Sequence, residues 1–469
     1  ELRDMIERLA GGLTGRGHAP GKVVAIMAPN LPEYAAVFHA VAWAGGTVTT
    51  LNPSYTAEEV AYQLKDAGAT LLVTVPPFLE TAKTAIAGTG VSEIAVIGEA
   101  PGATALSDLM GPPMTAQAPV DPATHVVALP YSSGTTGLPK GVMLTHRNLV
   151  ANVLQTNLSI PVEPGAVTLA FLPYFHIYGM TVLMNLILER GGVQVTMPRF
   201  DLEGALKLIE THRISHLYVV PPVVLALAKH PMIDQFDLSS LRSMVSGAAP
   251  LGAELQEACS RRLGFEMIQA YGMTEMSPVS HATPMGQNRA GASGTAVAGT
   301  ECRIVDTQTG ADLGPGEEGE LWVRGPQVMK GYLNRPDATA ETLTGDGWLK
   351  TGDVGSIDAD GYLTLVDRVK ELIKVKGFAV APAELEALLV THPGVADVAV
   401  IGVADEEAGE VPKAFVVAGP EGCPDLAEAQ AFLDPHVAHF KQIRALEVVE
   451  TIPKSPSGKI LRRMLRPSA

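Results

Sequence analysis

The segment YSSGTTGLPKG at 131–141 concentrates the groups that a polyphosphate needs. Gly134 and Gly137 permit a tight turn that aims backbone N–H groups inward. Ser132, Ser133, Thr135 and Thr136 add hydroxyl donors, and Lys140 adds charge. GxxxxGK[ST] is not met, because Gly134 and Gly137 are three apart and Lys140 is followed by glycine, so the loop is not a Walker A sequence. The bland alternative is a surface turn of small residues, but such turns seldom set a lysine and repeated threonines behind an apolar run like that at 126–129.

Three further segments acquire weight beside that loop. YGMTE at 271–275 offers Tyr271 as a flat face for a nucleobase and Glu275 as a carboxylate for Mg²⁺, which takes a carboxylate together with phosphate oxygens and water. Alone it would be an ordinary strand-to-turn junction. GWLKTGD at 347–353 and VDR at 366–368 supply Asp353 and Arg368, a carboxylate and a guanidinium suited to a ribose diol, although such residues more often belong to surface structure. PKSPSGKI at 453–460 places Lys459 on a glycine-bearing loop that could equally be a solvated basic tail.

These residues must be held by a scaffold, and the sequence shows its kind. Apolar runs rich in Val and Ile alternate with helical patterns over the first 280 residues: strands at 23–28, 216–220, 243–246 and 266–271, and a helix at 32–44. Strands buried on both faces and interleaved with helices predict an α/β fold with parallel-rich sheets, ligands gathering at the strands' carboxyl ends. Short strands at 302–305, 321–323 and 362–366, set among Gly-Pro turns, predict a small antiparallel, β-barrel-like unit appended to that body. From Glu371 a strand pair precedes a helix at 382–391 that opens on proline, then strands at 398–403 and 414–417, so the last hundred residues form a separate α+β domain. The expected division is 1–367 and 368–469. The stretch 104–122 is expected to be a loose connector.

Composition excludes several functions. Among 469 residues, 34 basic face 50 acidic, a formal charge of −16, which argues against nucleic acid or an anionic membrane surface as a partner. The longest apolar stretch, 217–228, is too short to span a bilayer and contains two prolines, so it reads as a strand entering a helix. No signal peptide is visible, and Cys259, Cys302 and Cys423 form no CxxC pair or disulfide framework, which fits a reducing, cytoplasmic setting.

SSGTTGLPKG, YGMTE, TGD, DRVKELIKVKG and PKSPSGK, in this order and spacing, resemble the adenylate-forming superfamily of acyl-CoA synthetases, luciferases and carrier-protein-loading adenylation domains. LPYFHIYGM, SGAAPLG and VKGFAVAPAELEALL are most similar to the 4-coumarate/cinnamate:CoA ligases. Measured against that group, a segment ahead of Glu1 is expected to be lacking. The resemblance implies a two-step reaction with ATP, CoA and Mg²⁺: a carboxylic acid becomes an acyl-AMP, then a thioester. It implies a large body and a smaller mobile C-terminal domain.

By position, the resemblance gives Ser132, Ser133, Gly134, Thr135, Thr136, Gly137 and Lys140 to the ATP phosphates, and Glu275 with Thr136 to the metal. Gln269, Ala270, Tyr271 and Thr274 match adenine and phosphate contacts, Asp353 and Arg368 match ribose ligands, and Lys459 matches the lysine that acts in the first step. Lys370 matches the hinge, Lys374 the second-step face, and Lys376, Gly377 and Arg199 the CoA contacts; Ala379 departs from the glutamine of plant relatives.

The same resemblance lines an acyl pocket with His176, Ile177, Tyr178, Gly179, Ser246, Gly247, Ala248, Ala270, Pro278 and Val279. These are mostly apolar, with no Asp for an ammonium group, which favours a neutral aryl or alkyl acid. Relatives commonly carry Gly at the Ala270 position, so a narrower slot is expected here. His176 would be a mobile gate; from the residues alone it would be a packed histidine. A medium-chain or other aryl-acid ligase and a non-catalytic nucleotide-binding homologue are the rival readings.

Overall fold

The computed structural model describes residues 1–132, 138–368, 371–375, 378–405, 408–419, 422–455 and 458–466. Two parallel-rich sheets dominate the body. The first has eight strands in the order Gly331–Tyr332, Lys140–Thr145, Val126–Ser132, Thr47–Thr50, Val23–Met27, Ala69–Thr74, Glu93–Val96 and Thr104–Ala105. Its six strands from Val126–Ser132 onward are parallel, and Lys140–Thr145 and Gly331–Tyr332 close one edge antiparallel. The VVAIM strand at its centre is buried almost throughout, as helices on both faces demand.

The second sheet has seven strands, of which Val193–Thr196, Val167–Ala170, His216–Val219, Ser243–Ser246 and Met267–Gly272 run parallel. Helix ends follow local chemistry. Thr56 and Glu59 form a reciprocal capping box on helix Ala57–Ala67, which ends at Gly68 in the left-handed conformation. Thr145 and Asn148 do the same for helix His146–Ser159.

A four-stranded antiparallel sheet follows, ordered Glu301–Val305, Gly319–Arg324, Leu349–Ile357 and Leu363–Arg368. The C-terminal domain carries its own five-stranded sheet around the long hairpin of Val395–Asp405 and Gly409–Ala418, with helices Pro382–Leu389 and Leu426–Leu433. Its apolar core, including Ile373, Leu385, Val400 and Val416, is separate from the cores of the body. Asp367 Oδ2 accepts the backbone N–H of Ala383 at 2.9 Å, tying the end of the body to the first turn of that helix.

The expected connector at 104–122 is more ordered at its start than the sequence suggests. Thr104–Ala105 joins the sheet edge, and the following 3₁₀ turn buries Leu106 and Leu109. Among the described residues, no helix is long and apolar enough to cross a membrane.

Candidate functional site

Both large sheets open their carboxyl ends onto one cavity of about 760 Å³, which the small sheet and the C-terminal domain also wall. The hairpin of Val126–Ser132 and Lys140–Thr145 pairs Ser132 with Lys140, so both line the cavity where the loop begins and ends. Ser133, Gly134, Thr135, Thr136 and Gly137 lie outside the described residues, as do Lys370, Lys376 and Gly377. Only the backbone of Ala379 is described, opposite Lys374 in a short hairpin.

Strand Met267–Gly272 delivers Ala270 and Tyr271 to the cavity and then turns sharply into Thr274 and Glu275. Gly272 is required at that turn, because a Cβ there would run into the carbonyl of Pro278. Pro278 and Val279 return along the far side. Antiparallel pairing of the last two strands of the small sheet sets Asp353 opposite Arg368. Their side chains make an ion pair at 3.0 Å, and the Tyr271 hydroxyl donates to Asp353 Oδ2. Burial, with the Asp353 carboxylate beside it, raises the Tyr271 phenol well above its ordinary range. Burial opposes the Arg368 charge, yet Asp353 holds the guanidinium above its usual value. A strand of the second large sheet and a hairpin of the small sheet thus form one triad.

Glu275 is buried and accepts the Tyr332 hydroxyl at 2.8 Å through Oε1, while the Lys140 ammonium lies 4.5 Å over the Tyr332 ring. Tyr332 therefore couples the carboxylate to the lysine, a role the sequence did not reveal. Glu275 also lines the cavity. No cluster of three or more metal-ligating side chains exists among the described residues. A single carboxylate of this kind fits Mg²⁺, which draws most of its ligands from phosphate and water.

Lys459 reaches the cavity from the C-terminal domain. Its loop packs so closely on the body that a Cβ at Gly458, where φ is +80°, would approach Val220 at 3.1 Å. Burial first, and the Arg368 charge second, pull the Lys459 ammonium down to about 8. His176 faces the same space, and burial with Lys459 nearby brings its imidazole down to about 4, so it is neutral. The Thr50 hydroxyl donates to the Phe175 carbonyl at 2.7 Å and fixes the segment just before it.

The apolar wall is built from Ile177, Tyr178, Gly247, Ala248 and Ala270. Tyr178 donates to the Val245 carbonyl at 3.2 Å, and a Cβ at Gly247 would meet its ring at 3.5 Å. Directly after it, Gly179–Asn185 winds as a π-helix, a form that recurs at binding sites. Other expected residues lie off the cavity. Gly179 is inside that π-helix and Ser246 is buried behind Gly247. Gln269 spends its amide on the Leu251 carbonyl and Gln256. Arg199 and Lys374 are exposed outside the cavity.

The family profile described as AMP-binding enzyme matches residues 1–333, and that of the AMP-binding enzyme C-terminal domain matches 384–459. The chain belongs to the AMP-binding enzyme family. Among its relatives, a 4-coumarate–CoA ligase of Pinus taeda is 44% identical, over 99% of this chain and 88% of that one. Among solved structures, ATP-bound MatB from Rhodopseudomonas palustris superposes with a TM-score of 0.91 at 32% identity, over 99% of this chain and 92% of that one. The anthranilate CoA ligase AuaEII in complex with anthranoyl-AMP gives a TM-score of 0.91 at 29% identity, covering 99% and 90%. The cavity described above sets charged and hydroxyl-bearing side chains beside an apolar wall.

Proposed function

We propose that this chain is an AMP-forming carboxylate:CoA ligase acting on aryl acids of the cinnamate and 4-coumarate type. One observation carries the reading: a single cavity takes in Lys140, Glu275, Lys459, and Tyr271 and Arg368 with their shared partner Asp353, beside an apolar wall of Ile177, Tyr178, Gly247, Ala248 and Ala270. The acid's carboxylate oxygen attacks the α-phosphorus of ATP, the bond to the bridging oxygen breaks, and pyrophosphate leaves. The CoA thiolate then attacks the acyl carbonyl, and AMP departs.

Each residue has work in that sequence. Lys140, with the loop at 133–137, binds the phosphates, and Asp353 and Arg368 take the ribose. Lys459 brings positive charge where one anion must approach another. Glu275, with Thr136, would hold Mg²⁺, which when bound offsets charge on the polyphosphate. Neutral His176 gates the acid without adding charge beside Lys459. The C-terminal domain, from about residue 368, turns about Lys370 to present Lys374, Lys376 and Gly377, with Arg199 on the body, for the CoA step. Free Cys259, Cys302 and Cys423 fit a cytoplasmic setting.

Acid-dependent exchange of pyrophosphate into ATP, followed by thioester formation with CoA, tests the reading across a panel of aryl and medium-chain acids. Exchange with none of them would leave a non-catalytic nucleotide-binding protein. The Ala270 methyl sits on the slot wall, so Ala270→Gly should shift the kcat/KM ratio toward 4-coumarate over cinnamate by on the order of tenfold. An unchanged ratio rejects the steric account.

A further inference from the structure

The side chain of Lys459 has no hydrogen-bond partner among the described residues, so its aim depends on its backbone. That backbone turns back on itself. Ser455 N–H donates to the Lys459 carbonyl at 2.8 Å, Lys459 N–H to Ser455 Oγ at 3.1 Å, and Leu461 N–H to the Pro453 carbonyl at 2.8 Å. These bonds shape the turn without fixing where it points. Its direction in the fold must come from a contact outside the turn.

Arg462, three residues on, ties it. Nε donates to the Val400 carbonyl at 3.1 Å, Nη1 to Glu371 at 2.9 Å, and Nη2 to both oxygens of Glu386 at 2.8 and 2.7 Å. The fork therefore joins the turn to the central hairpin, to the helix and to the segment beside the expected hinge. Exposures of 12%, 15% and 13% for Arg462, Glu371 and Glu386 shield the cluster from water, so its bonds hold far better than a surface pair would. Burial pushes Glu386 up to about 7 against the pull of Arg462. The Lys454–Asp397 pair steadies the other leg of the turn.

We propose that Arg462 is a positioning residue for acid activation: its fork sets the register of the terminal turn and thereby the place of the Lys459 ammonium in the cavity. The inference rests on the acid-activating role given to Lys459 above. All three anchors of Arg462 lie in the C-terminal domain, so they travel with Lys459 when that domain turns. Loss of the fork should therefore fall on adenylate formation and spare the CoA step.

The test compares two half-reactions in the full chain: cinnamate-dependent pyrophosphate exchange, and thioester formation from synthetic cinnamoyl-AMP and CoA. Arg462→Ala should slow the first by about tenfold or more, since small misplacements of a catalytic group are costly. It should leave the second within about twofold. Arg462→Lys should restore little, because an ammonium cannot bridge two carboxylates and a carbonyl. Combined with Lys459→Ala, it should add no further loss. Equal losses in both half-reactions, additivity with Lys459→Ala, or full rescue by lysine would overturn the proposal. Should the alanine variant unfold, Glu371→Gln removes one arm and must show the same asymmetry on a smaller scale. If the parent exchanges with no acid, the activity itself fails and this inference with it; if the parent exchanges and the variants match it, only the inference fails.

Discussion

Lys459→Ala is expected to lower acid-dependent pyrophosphate exchange by about 10²- to 10³-fold, the usual cost of removing one electrostatic contact made at the developing charge. Thioester formation from a preformed adenylate should change far less, because the CoA thiolate does not need that charge. The pH profile gives a second, independent reading. With its ammonium drawn down to about 8, Lys459 is charged below that pH and neutral above it. Exchange measured as kcat/KM should therefore decline as pH rises through about 8. In Lys459→Ala this descending limb should vanish. A variant that keeps both the rate and the limb would remove Lys459 from the mechanism.

Asp353→Ala should be the most damaging change to nucleotide binding and stability together. The carboxylate is only 7% exposed, and it is the common partner of the Tyr271 hydroxyl and the Arg368 guanidinium. Its removal takes the carboxylate from a half-buried phenol and a guanidinium whose side chain is 30% exposed, a loss of about 1–2 kcal/mol. The rise in Tm that ATP confers on the parent should disappear, since a ligand stabilises only what it binds. Asp353→Asn keeps a hydrogen-bond acceptor for Tyr271 and should regain much of the melting temperature without regaining the ATP response. An undiminished ATP-induced shift in either variant would refute the ribose assignment.

Much of this site could be read from residue type and place alone. Tyr271 stands at the end of an apolar run and Lys459 on a glycine-bearing loop, so chemistry singles them out before any geometry is known, while Asp353, marked by its TGD motif, lies mid-strand in Leu349–Ile357. Strands such as Val23–Met27 were legible because burial on both faces leaves an unbroken apolar run. Partners that meet only in three dimensions were not. Tyr332 meets Glu275 across 57 residues, and nothing in its neighbourhood sets it apart from a packed tyrosine. Arg462 looks like one of several basic residues near the chain end until its three anchors are seen. Gln269 is the converse case: its motif position suggests a ligand contact, and its amide nitrogen donates within the core to the Leu251 carbonyl and Gln256. The start of the 104–122 stretch escaped because a two-residue edge strand carries too little pattern.

The pairing of Gly331–Tyr332 with Lys140–Thr145 has a consequence during synthesis of the chain. Until the ribosome has passed Tyr332, strand Lys140–Thr145 lacks its neighbour on that edge and presents unpaired amide and carbonyl groups, a template for a neighbouring copy. Contacts so distant along the polypeptide also form late. Products truncated upstream of Gly331 should accumulate as insoluble material, whereas chains extending past it can seal themselves.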